Sequence, residues 1–367
     1  MFNYSLSNIE DIKKYTKKDV KKIFLIVGNT SYKKLNIDKK IEEIFNDKNY
    51  FIYKKKNYFP TFEELIDIKK KLDEYNPDLI IAIGGGSVLD YAKISAVINF
   101  EKNLKLKIIN NSLNLSKNYR LLAIPTTAGS GAEVTENAVI YIDDIKYSVE
   151  GPNVKPDDYL LIPDFISLAS KKIKASAGFD AISQSMESIM SLKSNSISLK
   201  HATDSLKISM SNYLNYINNP SLENDFKMCI AANLSGKAIS ISKTTAPHAI
   251  SYPFTSLYGI NHGHAVALSL SRFLKFNFLN IKNASQNFDL NSRFNIIFEI
   301  TKTKNINELT NYINFLAEKT DMELNFKKLG INIQKEINKI LEGVNDMRLK
   351  NNPVKIFKKD ITKIILD

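Results

Sequence analysis

The sequence predicts an α/β domain followed by an all-helical one, and three observations carry that prediction. Short apolar runs rich in β-branched residues alternate with helical patterns through the first third of the chain. One of those runs ends in a glycine-rich turn that opens a helix. After about Pro163 the strand-like runs stop, and helical patterning continues to the end. The expected division is residues 1–165 and residues 166–367, with ligands bound in a cleft between the two.

The strands come first. KIFLIVG (22–28), PDLIIAIGGG (77–86) and YRLLAIPTT (119–127) are continuous apolar runs, as expected of parallel strands buried on both faces. FEELIDIKKKLDEY (62–75) has helical spacing between two of them. ENAVIYIDDIKYSVEG (136–151) reads as a hairpin, two alternating runs flanking Asp143 and Asp144. Beyond it, FISLASKKIKASAGFDAISQSMESIMS and the stretches around 202–217, 222–241, 263–277 and 306–320 read as helices. No internal repeat or low-complexity linker interrupts them.

Composition narrows the function. The chain of 367 residues is 44% hydrophobic, enough for two globular cores. Its 51 Lys and Arg outnumber 39 Asp and Glu, but the lysines come as scattered pairs (Lys13-Lys14, Lys21-Lys22, Lys39-Lys40, Lys171-Lys172). No arginine-rich or aromatic-interleaved block suits nucleic acid, although a basic surface would steer an anionic small molecule. The single cysteine, Cys229, excludes an internal disulfide and suits a buried, inert thiol. The first residues lack a signal-peptide pattern and no run of about 18 apolar residues occurs, so a cytoplasmic location is expected, with no membrane partner.

Four motifs carry chemistry. GGGS at 84–87 ends a strand and opens SVLDYAKISAVINF, so Gly85, Gly86 and Ser87 could bring a phosphate against backbone N–H groups at a helix N-terminus; a plain tight turn is the other reading. Asp90 and Lys93 stand three apart on that helix, as a helix pair or as cofactor contacts. PTTAGSGAEVT (125–135) offers Thr126, Thr127, Ser130 and Thr135 as small hydroxyl donors along a sugar–phosphate channel. Lys146, on the second arm of the hairpin, faces either the cleft or water. FDAISQSMES then sets Asp180 and Gln184 four apart on one helix face.

The fourth motif is TTAPHAISYPFTSLYGINHGHAVALSL, Thr244 to Leu270, which holds three of the four histidines: His248, His262 and His264. A stretch broken by Pro253 separates the first two. A helix-borne aspartate and two imidazoles converge readily on a divalent cation with room for substrate, whereas a lone histidine such as His201 reads as surface. His264, two residues past His262, points elsewhere on a helix and is a candidate proton donor, as is Tyr252.

GGGSVLDYAK, IPTTAGSGAEVT, AGFDAISQSMES and PHAISYPFTSLYGINHGHAVAL, in this order and spacing, resemble the iron-containing (group III) alcohol dehydrogenase family over nearly the whole chain. The resemblance implies a Rossmann-like nucleotide-binding domain, a helical metal-binding domain related to that of dehydroquinate synthase, a nicotinamide cofactor, a divalent metal (iron or zinc), and a dimer or larger homo-oligomer. It implies that Gly85, Gly86 and Ser87 take the pyrophosphate, that Thr126, Thr127, Ser130 and Lys146 line the nucleotide, and that Asp180, His248 and His262 hold the metal. Gln184 stands where the family usually has a second metal histidine, and Tyr252 where it often has another active-site histidine. Those departures resemble a branch that reduces phosphonoacetaldehyde to 2-hydroxyethylphosphonate.

The expected reaction is metal-assisted hydride transfer from NAD(P)H to a small anionic aldehyde, with Lys243 and Arg348 as cations for its anionic end. The turn Gly28-Asn29-Thr30-Ser31 carries no acid to repel a 2′-phosphate, and Lys33 and Lys34 follow it, so NADPH is tolerated or preferred; the lysines read equally as ordinary helix surface. The alternatives are a broader reductase of small or sugar-derived aldehydes, a dehydroquinate synthase-like lyase, and a binding module whose metal site has degenerated at Gln184.

Overall fold

The computed structural model describes residues 4, 6–143, 145–285 and 288–366. It contains two compact units: one runs to Ala169 without Ala128–Ser130, and the other takes those three residues together with everything from Ser170.

The first unit is built on a parallel sheet in the order β2-β1-β3-β4-β7. Its strands are β1 (Lys22–Gly28), β2 (Asn49–Lys55), β3 (Leu79–Gly84), β4 (Leu121–Pro125) and the two-residue β7 (Asp158–Tyr159). Helices α1 (Asn29–Leu35), α2 (Asp38–Ile44), α3 (Phe62–Tyr75), α4 (Gly86–Val97) and α5 (Leu104–Ile109) alternate with them. The continuous apolar runs exist because both faces are covered. Phe24, Ile26, Ile80, Ala82, Leu121 and Ala123 pack into one core, while Ile23, Leu25, Val27, Leu79, Ile81, Ile83, Leu122 and Ile124 pack into another.

Two strands escaped the sequence reading. β2 (NYFIYKK) lies at the sheet edge, and every residue but the buried Tyr53 is exposed or half-buried, so it lacks the continuous run of a central strand. β7 is too short to leave a pattern. The hairpin forms as β5 (Asn137–Ile142) against β6 (Ile145–Glu150), with Asp143 at φ 50 in its turn; Asp144 lies outside the described residues. In register, Gly28 of β1 faces Lys55 of β2, and Gly84 of β3 faces Pro125 of β4. The carboxyl ends of four strands therefore share one edge, where open α/β sheets bind ligands.

α4 runs from that edge with every residue from Val88 to Val97 buried. It carries two ionisable groups inward. The Lys93 ammonium donates to the carbonyls of Ala132 (2.9 Å) and Asn137 (2.6 Å) and to Thr135 Oγ1 (2.7 Å), and so anchors the loop leading into the hairpin. Thr135 is thereby a buried loop anchor, not a donor along a ligand channel. Burial lifts the Asp90 carboxyl to about 6, against the opposing charges of Lys93 and Lys146.

The second unit is helical. α6 (Pro163–Ser167) precedes it, and α7 (Lys171–Met190), α8 (Ser196–Asn218), α9 (Leu222–Ser242), α10 (Ala246–Tyr258), α11 (His262–Leu279), α12 (Leu290–Thr301), α13 (Ile306–Glu318), α14 (Ile333–Glu342), α15 (Asp346–Leu349) and α16 (Lys358–Leu366) follow. α7 is buried on all sides from Gly178 to Met190, which explains its weak amphipathic pattern in the sequence. Gly178 permits this closeness, since a Cβ there would lie 2.9 Å from the Tyr213 ring.

Pro253 does not break the chain between His248 and His262 as the sequence suggested. α10 passes through it and ends at Gly259, which takes the left-handed conformation at φ 64. A helical proline leaves the carbonyl four residues earlier without its usual donor. Here that carbonyl belongs to Ala249, and the Asn345 N–H supplies the missing bond at 3.2 Å. Gly343 lets this turn approach, because a Cβ there would sit 3.0 Å from Pro253.

The buried Lys174–Asp225 pair joins α7 to α9 at 2.7 Å, with the ammonium 4.7 Å from the centre of the Tyr216 ring. Asp225→Asn is expected to cost about 3–5 kcal/mol in urea unfolding, because it strands a buried ammonium, while Lys174→Met with Asp225→Leu recovers most of that loss. A single variant as stable as the parent would show the pair to be dispensable.

Asp90 makes a pH prediction. Its folded pKa lies above the unfolded value of 3.8, so the native state holds the proton more tightly, and stability falls as pH rises from about 4 to about 6. The penalty above that window is at most about 3 kcal/mol. Asp90→Asn should flatten this slope and be the more stable protein at pH 8; an unchanged slope in denaturation curves would refute it.

Candidate metal centre and nucleotide loops

Three ligand-type side chains from three helices of the second unit meet in one place. Asp180 sits midway along α7, His248 in the first turn of α10, and His262 at the start of α11. One donor atom from each lies within 4.8 Å of the others. His248 Nε2 is 3.1 Å from Asp180 Oδ1, and His262 Nε2 is 4.0 Å from the same oxygen. Asp180 and His248 are buried, whereas His262 is partly exposed, so one side of the cluster is open to solvent.

Glu187 holds this arrangement together, and the sequence reading did not single it out. It is fully buried on α7, two turns past Asp180 and on the same stripe. Oε1 meets His248 Nδ1, while Oε2 accepts from the Thr245 N–H (2.7 Å) and the Thr245 hydroxyl (2.9 Å) at the start of α10. One carboxylate thus fixes both the ring of His248 and the backbone that carries it. Burial lowers the His248 pKa, but the charges of Glu187 and Asp180 and their hydrogen bonds outweigh it and hold the imidazole up at about 10. The signal available in the sequence was an acid seven residues beyond Asp180.

Gly263 is the second residue missed. A Cβ there would lie 1.9 Å from the Ser176 carbonyl oxygen and 3.0 Å from Asp180 Cβ. The glycine of HGH is therefore what lets α11 press its first turn against α7. Without that approach His262 could not reach Asp180.

The other expected residues divide. Tyr252 lies one turn after His248, its ring centre 6.0 Å from that of His262, so it stands beside the cluster. His264 does not join it. Its Nε2 is 2.7 Å from the Glu323 carbonyl, and its backbone N–H donates to Ser176 Oγ. That ring nitrogen faces a backbone carbonyl and not the cluster. Gln184 is buried, and its amide oxygen accepts from the Ser235 hydroxyl of α9 at 3.0 Å. His201 is half-buried and Cys229 is buried.

In the first unit the first glycine of the turn, Gly84, is sterically required. A Cβ on Gly84 would fall 2.5 Å from Val88, and one on Gly28 would fall 2.4 Å from Ser31 Oγ. Gly85 is the N-cap of α4 and provides no side-chain cap, which leaves the helix end to an external acceptor. Gly86 and Ser87 form its first turn. Thr126 is buried and donates its N–H to the Gly84 carbonyl at 3.0 Å; Thr127 lies beside Gly85. Asn29 begins α1 at the same edge, exposed, while Lys33 and Lys34 are exposed in the last turn of that helix. Lys146 is half-buried on β6, where its charge bears on Asp90. Ser130 belongs to the second unit with Gly129, whose missing Cβ would meet Ala177 of α7. Lys55 at the end of β2 donates to Ser87 Oγ at 2.6 Å, a contact no motif announced.

The chain is 29% identical over 230 residues to a phosphonoacetaldehyde reductase of Streptomyces viridochromogenes, covering 59% of this chain and 58% of that one. The match thus spans a little over half the length of that relative. It is 27% identical over 282 residues to a 4-hydroxybutyrate dehydrogenase of Clostridium kluyveri, covering 74% and 73%. Its fold matches a sulfoacetaldehyde reductase from Bifidobacterium kashiwanohense, solved in complex with NAD+, with a TM-score of 0.87 at 23% identity over 99% of this chain and 95% of that one. Residues 4–163 match the model described as iron-containing alcohol dehydrogenase, and residues 174–367 match that of the Fe-containing alcohol dehydrogenase C-terminal region. With both halves matched in order, the chain belongs to the iron-containing alcohol dehydrogenase family.

Proposed function

We propose that this protein is a metal-dependent, NAD(P)H-linked reductase of a small anionic aldehyde, with phosphonoacetaldehyde its substrate. The observation that carries the reading is the convergence of Asp180, His248 and His262. One carboxylate and two imidazoles form a borderline donor set that suits iron or zinc, with coordination positions left for substrate. A divalent ion there would polarise the aldehyde oxygen and stabilise the developing alkoxide, and a reduced nicotinamide would supply the hydride.

This chain's residues do the holding and orienting. Glu187 keeps the proton on His248 Nδ1 and turns Nε2 toward Asp180. Tyr252 is the proposed proton source, since its phenol ring stands beside His262. Gly85, Gly86, Ser87, Thr126, Thr127, Ser130, Asn29, Asp90 and Lys146 are the proposed dinucleotide contacts. The uncapped start of α4 at the shared strand edge supports that assignment.

The anionic end of the substrate calls for cations, and Lys243 with Arg348 are proposed. They lie far apart in sequence, but the segments bearing them are stitched together. Asn351 Nδ2 donates to the carbonyls of Ser242 (2.8 Å) and Thr244 (2.9 Å), on either side of Lys243. The relation to phosphonoacetaldehyde reductase favours this substrate among small aldehydes. Gln184, a weak donor, or water is proposed as the fourth ligand. A homo-oligomeric, cytoplasmic enzyme completes the proposal, in keeping with the absence, among the described residues, of any helix long and apolar enough to cross a membrane.

Asp180→Ala and His262→Ala are expected to lose bound metal and NAD(P)H-dependent reduction of phosphonoacetaldehyde while keeping the helical circular dichroism of the parent. Full activity in both variants would sink the metal-centred reading. Glu187→Gln should weaken metal binding by roughly 10- to 100-fold, the usual effect of losing a partner that orients a ligand. Equal metal affinity in parent and variant, measured by chelator competition, would show that Glu187 does not position His248.

A further inference from the structure

Lys55 ends the edge strand β2, and its Cα pairs with Gly28 at the end of β1. Its ammonium is half-buried and donates to two neutral oxygens, Ser87 Oγ at 2.6 Å and the Tyr58 carbonyl at 2.9 Å. No described carboxylate lies within ion-pair distance of it. Its neighbours differ: Lys56 and Lys71 pair with Asp67, and Lys69 pairs with Asp73. The two acids whose charges bear on Lys55 are Glu64 and Asp90. Glu64 is occupied by the N–H groups of Lys56 (2.6 Å) and Asn57 (2.9 Å) and by the Tyr91 hydroxyl (2.8 Å). Asp90 lies under the charges of Lys93 and Lys146.

Burial holds the Lys55 pKa below that of an ordinary lysine. A partly buried charge is ordinarily matched by a counter-ion. This one has none from the described protein and sits against the loop that opens α4, so the matching anion comes from a ligand.

We propose that Lys55 binds the 2′-phosphate of NADPH and selects it over NADH. The inference rests on the dinucleotide reading above and names the residue that decides its cofactor. Phosphates bound at the start of α4 leave the adenosine ribose on the side of β1 and β2, where an acid at a strand end would bond the ribose hydroxyls of NADH. This chain has no acid in the turn after β1, and a lysine stands at the end of β2. Lys33 and Lys34 are less suited, because they lie about 7 Å of helix rise from that edge and are solvent-exposed.

The test is binding, without turnover. NADPH, NADH, 2′,5′-ADP and 5′-AMP are titrated calorimetrically against the full chain and against Lys55→Met, Lys55→Arg and Lys34→Ala. The parent should bind NADPH more tightly than NADH, and 2′,5′-ADP more tightly than 5′-AMP. Lys55→Met should lower affinity for the two 2′-phosphorylated ligands by about 10- to 100-fold, the worth of a charge-assisted hydrogen bond, with NADH affinity kept and serving as the control for folding. Lys55→Arg and Lys34→Ala should keep the preference. Equal losses for NADPH and NADH in Lys55→Met would assign the cation to the shared diphosphate and overturn the proposal, as would no loss for either. If the parent binds neither dinucleotide, the nucleotide reading itself fails, a result separable from both.

Discussion

The second unit depends on one buried chain of contacts, Glu187 to His248 to Asp180. Two carboxylates two turns apart on α7 grip both nitrogens of one imidazole on α10. Charges this deeply buried persist only when matched, and each of these is matched by its neighbour. The same Glu187 accepts from the backbone of Thr245, so the start of α10 cannot shift without breaking the grip. The candidate metal centre is therefore as much a clamp between helices as a set of ligands.

Close approach of backbones makes the clamp possible. α7 is surrounded where glycines remove side chains: Gly178 beneath Tyr213, Gly263 against Ser176, and Gly129 against Ala177. Serines along α7 return their hydroxyls to its own carbonyls, as Ser183 does to Phe179 and Ser185 to Ala181, and so stay satisfied in a dry interior. α10 meets a comparable demand at Pro253, where the missing helical hydrogen bond of Ala249 is replaced by Asn345 from a turn almost one hundred residues later.

The first unit solves a different problem. Its central strands are covered on both faces, so its polar chemistry gathers at the one edge where strands end and helices begin. Gly84 is forced by the sterics of its turn against Val88, whichever ligand it serves. Lys55 belongs to the same edge, and its neutral partners distinguish it from the paired lysines around it.

By itself the sequence determined the α/β-then-helical order, the covered central strands, the helix from 62 to 75, the glycine turn, and three residues that converge, Asp180, His248 and His262. Each leaves a local trace: a continuous apolar run, a helical period, a histidine beside a helix start. Tertiary structure alone decided the rest, since it depends on partners distant in the chain. Edge strand β2 has too little burial to leave a continuous run, and α10 survives its proline through Asn345. His264 and Tyr252 read alike in the sequence, but the His264 ring bonds the Glu323 carbonyl whereas the Tyr252 ring stands beside His262. Glu187 and Lys55 passed as ordinary charged residues, because burial and the presence or absence of a counter-ion are properties of neighbours, and a sequence does not list neighbours in space.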